Sequence, residues 1–88
     1  MMEIKVYIKD FDSSDKILNL LRDCNLQFGV HALEVSEIAN VVGEKIKKLP
    51  HVVIDGERVG GYYDLVEYLM NKDIINYAGE PKWKMKNN

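Results

Sequence analysis

One cysteine, one tryptophan, two prolines and two histidines are all that this 88-residue chain holds of the residue types on which specialised sites are often built. The lone Cys24 excludes an internal disulfide and fits a reducing compartment, so a cytoplasmic location is expected. His31, His51 and Cys24 stand at unrelated spacings and give no zinc-binding pattern. No apolar run approaches the roughly 20 residues needed to cross a bilayer, which implies a soluble chain. "MMEIKVYIKD" carries acid and lysine among its apolar residues and has no small-residue cleavage site, so it does not read as a signal peptide. Repeats and low-complexity segments are missing too, and a chain of this length has room for one domain, burying roughly 60 to 65% of its unfolded surface.

What is there is the mixture of a globular domain, 47% hydrophobic and 30% charged. The charge is uneven. All 14 acids precede residue 82, while Lys82, Lys84 and Lys86 leave nine of the 12 basic residues for the body, which therefore carries −5 against +3 for the tail "KWKMKNN". An acidic body argues against a nucleic-acid groove, whose affinity comes from neutralising phosphates. The tail with Trp83 reads most simply as solvated terminal lysines, the alternatives being contact with a nucleic acid, a membrane surface or an acidic partner.

Hydropathy patterning gives the elements. "EIKVYI" places Ile4, Val6 and Ile8 on one face of a strand. From Lys16, the apolar residues Ile17, Leu18, Leu20, Leu21 and Cys24 form a helical stripe that stops at Asn25, a residue tolerated in the left-handed cap. "FGVHALEV" predicts a second strand, with His31 half-buried in it. Ser36 is expected to cap a short helix over "EIANVVGEKIKK", weakened by Gly43. "PHVVIDGERVGG" reads as two strands around the Asp55–Gly56 turn, and "YYDLVEYLMNK" places Tyr62, Leu65, Val66, Leu69 and Met70 at helical spacing. The predicted order is βαβαββα, with a domain over 1–72 and a C-terminal extension over 73–88 in which Pro81 breaks any helix.

At "LPHVVIDGERVGGYYDLVEYL", Leu49 to Leu69, the chain resembles the glutaredoxins, most nearly the small glutaredoxins of T-even bacteriophages. That run is similar to the family's cis-proline, strand, "DG" hairpin, "GG" pair and last helix. "VYIK" and a helix ending in "NLL" extend the resemblance over residues 3 to about 71. The resemblance implies an α/β, thioredoxin-like (glutaredoxin-type) fold with a four-stranded mixed sheet flanked by helices. It also implies a glutathione site: backbone beside Leu49 and Pro50 pairing with the tripeptide, the "GG" pair ending in Gly61, the amides of Tyr62 and Tyr63 holding a carboxylate, and Lys9 attracting another. Helix N-terminal amides do favour anions.

The resemblance fails where the family's chemistry sits. Aligning the first helix by "KILNLL" and Asn25 puts Phe11 at the position of the nucleophilic cysteine and Ser14 at the second, with Asp12 and Ser13 between; counting from "VY" shifts these to Asp12 and Asp15. Neither register holds a thiol, and a serine hydroxyl can neither ionise comparably near pH 7 nor form a disulfide. Cys24 lies ten residues beyond Ser14, about 15 Å along the helix, on the face of Ile17 and Leu21, where a buried thiol is expected. "DSSD" then reads as capping, with Asp12 or Ser13 accepting from first-turn amides and Asp15 complementing the helix dipole. Serine and aspartate near His51 hold the ingredients of a hydrolytic triad, but nothing marks an oxyanion hole.

The expectation is a redox-inactive domain with no catalytic residue and no required cofactor or metal. Its old groove, around Phe11, Ser13, Leu49, Pro50, His51, Tyr62 and Tyr63, would bind a protein or peptide partner; a phage origin would make that partner a host protein met in the host cytoplasm. The competing readings are a glutathione-dependent disulfide oxidoreductase using Cys24, and a glutathione-binding carrier.

Overall fold

A computed structural model of the chain describes residues 2–9, 14–32 and 49–85. Strand β1, Ile4–Ile8, lies inside a four-stranded sheet of order β2, β1, β3, β4. It pairs in parallel with β2, Gly29–Ala32, and antiparallel with β3, His51–Ile54, which pairs antiparallel with β4, Glu57–Gly60. This is the four-stranded mixed sheet that the sequence implies. The parallel step from β1 to β2 needs a crossover, and helix α1, Asp15–Asp23, supplies it.

The alternation in β1 and β3 sets the core. Ile4, Val6 and Ile8, with Val52 and Ile54 opposite in register, are buried against Ile17, Leu18, Leu20, Leu21 and Cys24 of α1 and against Leu65 and Leu69 of helix α2, Tyr62–Asn71. The reverse face of the sheet is not bare: Tyr7 and Val53 are buried there too. Tyr7 stacks on His31 at 5.2 Å between centroids. His31 itself is exposed rather than half-buried, because among the described residues β2 is an edge strand paired only with β1. The second strand, expected to run from Phe28 to Val35, is described over four residues, and the helix expected over Glu37 to Lys48 lies outside the described residues.

Turn chemistry joins these elements. Asp55 (φ 52°) and Gly56 (φ 81°) both adopt the left-handed region that a two-residue hairpin requires. Asp55 also ties the hairpin to β1, its amide donating to the Glu3 carbonyl and its carboxylate accepting from the Glu3 amide, both at 2.8 Å. Each helix ends on one non-glycine residue at positive φ, Asn25 (60°) after α1 and Asp73 (63°) after α2. At both ends the next amide reaches back five residues, Leu26 to the Leu21 carbonyl and Ile74 to the Leu69 carbonyl, and each brings an apolar side chain onto the core.

Beyond α2 the chain folds back. Ile75 is 2% exposed and belongs to the core, and it bridges to Pro81, which is also buried. The Asn76 side chain organises the intervening loop, its Oδ1 accepting the amides of Ala78 and Glu80 at 2.9 Å. Past Pro81 comes a single 3-10 turn, Lys82–Met85, so the proline opens a short helical turn instead of ending all helix. The Trp83 indole donates to the Asp23 carbonyl at 2.8 Å, strapping this segment to the exposed end of α1.

Candidate functional site

Two backbone features and one side-chain contact converge at one end of the sheet. The Leu49–Pro50 peptide bond that leads into β3 is cis, and both residues are half-buried. The Pro50 carbonyl faces Gly61, 4.0 Å from where a Cβ would stand. The first turn of α1 comes alongside, because the Lys16 ammonium sits 5.8 Å from the centroid of the Tyr62 ring. Pro50, Gly61 and Tyr62 are thus brought together, with Lys16 added from α1.

The N-terminus of α2 is built on close approach. Gly60 (φ 122°) has a conformation that other residues rarely adopt, and a Cβ there would overlap the Asp64 carboxylate. Asp64 turns back across the helix mouth and accepts the Gly61 amide hydrogen at 3.3 Å. A negative charge therefore already faces the positive end of the helix dipole, where an external anion would sit. Tyr62 and Tyr63 meet edge to face at 5.3 Å, and Tyr63 is 80% exposed, a large ring held in water.

His51 begins β3 directly after Pro50, cross-strand from Tyr7. Its Nε2 is buried and has no hydrogen-bond partner among the described residues. Burial holds its pKa below the ordinary histidine value, the Arg58 guanidinium lowers it further, and the Asp64 carboxylate partly opposes both.

The remaining sequence-derived residues divide. Lys9 is exposed at the end of β1. Phe11, Asp12 and Ser13 lie outside the described residues. Ser14 is buried at the N-cap of α1, yet its side chain makes no capping bond to the first-turn amides; Asp15 complements the dipole there. Cys24 forms no disulfide and is buried, 5% exposed, at the far end of α1, as its helical spacing predicts. Among the described residues no group of three histidine, cysteine or acidic side chains could hold a metal ion, and no helix is long and apolar enough to cross a membrane. Asp64 and Lys16 escaped the sequence reading. The signal for Asp64 was its place three residues after Gly61, where a carboxylate can reach back to the N-cap amide.

This arrangement is that of the α/β thioredoxin-like fold of glutaredoxin type. Glutaredoxin 1 from Francisella tularensis, solved in complex with cacodylate, superposes with a TM-score of 0.65 at 17% identity, covering 83% of this chain and 96% of that one. A Nu-class GST from Haemonchus contortus superposes with a TM-score of 0.64 at 19% identity, covering 91% of this chain, which spans 41% of the GST. At these identities the likeness is one of fold. No protein-family model and no curated protein matches the sequence.

Proposed function

We propose that the chain is a redox-inactive thioredoxin-fold domain over 1–72, extended over 73–88, whose groove beside Pro50 and the α2 N-terminus binds a protein or peptide partner. The observation that carries this reading is the position of the only sulfur nucleophile. Cys24 is buried at the C-terminal end of α1, about 15 Å by helix rise from the N-cap where such chemistry would need a thiolate. Two further features support it. Tyr63 offers a rigid aromatic surface of the kind that anchors interfaces, and Asp64 sets a negative charge where the carboxylate of glutathione would dock. By the phage resemblance, the partner is a host protein in the host cytoplasm.

Glutathione is the ligand to test against, through backbone at Leu49 and Pro50, the turn at Gly61, the amides of Tyr62 and Tyr63, and the charge of Lys9. Titration with reduced glutathione, read by amide chemical shifts, is expected to leave residues 49–52 and 60–64 unmoved. Saturable shifts confined to those residues would replace this reading with that of a glutathione carrier. Turnover of a mixed glutathione disulfide that is lost in Cys24→Ser would replace it with that of an oxidoreductase.

A further inference from the structure

The geometry points to a second contact site, a cleft between α2 and the C-terminal strap that takes the side chain of a lysine or arginine from a protein or peptide partner. The cleft encloses about 350 Å³. Its floor is apolar, formed by Ile75, which is fully buried, and Met70, which is half-buried. Glu67 on α2 lines one side and has no hydrogen-bond or ion-pair partner among the described residues. Tyr77, wholly exposed, lines the strap side.

The charges select the occupant. Asp73, also in the lining, is already matched by the Lys82 ammonium, so the unmatched charge of the cleft is the Glu67 carboxylate. An apolar floor with one free carboxylate and an aromatic ring fits a side chain with a hydrocarbon stem and a cationic head. Its stem can cover Met70, which Ile75 backs from beneath, while its head meets Glu67 and the ring of Tyr77. A neutral stem would leave Glu67 unmatched, and an acidic one would be repelled. A bare divalent ion is disfavoured, because among the described residues no set of three metal ligands exists here. The −5 balance of residues 1–81 draws basic surfaces from a distance, an attraction that salt weakens. This cleft is separate from the α2 N-terminus, so its failure leaves the groove proposal standing and the glutathione titration tests that one alone.

The test uses the full chain and four capped tripeptides, Ala-X-Ala with X lysine, arginine, norleucine or glutamate, followed by amide chemical shifts. Saturable shifts at Glu67, Met70 and Tyr77 are expected for lysine or arginine at millimolar concentration, weakened by roughly fivefold or more in Glu67→Gln and in Tyr77→Ala and reduced in about 0.5 M salt. Both substituted side chains are exposed, and unchanged shifts in β1 and β3 verify that each variant is folded. The proposal is overturned if no basic peptide saturates, if norleucine or glutamate binds as well, or if Glu67→Gln leaves affinity unchanged.

Discussion

The carboxylate of Asp64 lies against Gly60 and accepts the Gly61 amide hydrogen, so one side chain both caps α2 and sets the charge of its N-terminal end. Asp64→Ala is expected to lower stability by about 0.5–1 kcal/mol, measured by urea denaturation. Asp64→Asn keeps an acceptor and removes the charge, so any glutathione-induced shifts at residues 60–64, expected to be absent in the parent, should appear first in this variant in the same titration. At His51 the linkage to pH has a definite sign. Its folded pKa lies below the unfolded value near 6.5, so the folded state binds fewer protons. The stability held above pH 6.5 is therefore lost as pH falls from there through the lower folded pKa. Melting temperatures at pH 7.5 and 5.5 should fall less in His51→Gln than in the parent; equal falls would place the acid sensitivity elsewhere. At this scale the sequence was legible where periodicity speaks, as for Cys24. It was silent where a contact crosses elements: nothing in "PHVV" or "GERV" says that Arg58 and Asp64 oppose each other at His51.

Among the elements, the hairpin and the end of α1 were the most readable, because backbone conformation at positive φ admits few residues, whereas the left-handed Asp73 that ends α2 carried no such signal. Gly56 has nothing within 4 Å of where a Cβ would stand, so Gly56→Ala tests conformation free of steric clash. A loss of about 1 kcal/mol is expected in thermal melting. Asn25→Ala should cost a similar amount at the end of α1, and Asn25→Gly should cost nothing, since the left-handed cap needs freedom at φ more than it needs a side chain. The strands were legible in position but not in length or exposure. "FGVHALEV" carries β propensity throughout, yet which of its residues face water depends on β2 being an edge, a fact of sheet order that no single strand encodes. Of the capping reading of "DSSD", Asp15 stands in the first turn as a dipole complement, the expected capping residues Asp12 and Ser13 lie outside the described residues, and Ser14 occupies the N-cap without a side-chain capping bond.

For the whole molecule, the order of the described elements and the face they bury followed from alternation in β1 and β3 and from the helical stripes, which is most of what the fold is. The contribution of the C-terminal segment did not. The pair Ile74–Ile75, two apolar residues in a short polar stretch, has no period to betray it, and the burial of Ile75 comes from the chain folding back through Asn76 and Pro81. Ile75→Ala is expected to cost about 2–4 kcal/mol in urea denaturation, and ending the chain at residue 72 should cost at least as much. A truncated chain as stable as the parent would show that the core closes without the strap. The indole bond to Asp23 has a consequence of another kind. Trp83 is the sole tryptophan, and the bond fixes it to the end of α1, so its emission reports whether the strap is docked, while circular dichroism reports the helices. If both signals change at one denaturant concentration, strap and body form one cooperative unit; if the emission shifts first, the strap detaches from a domain that is still folded, and the molecule carries its own optical gauge of that opening.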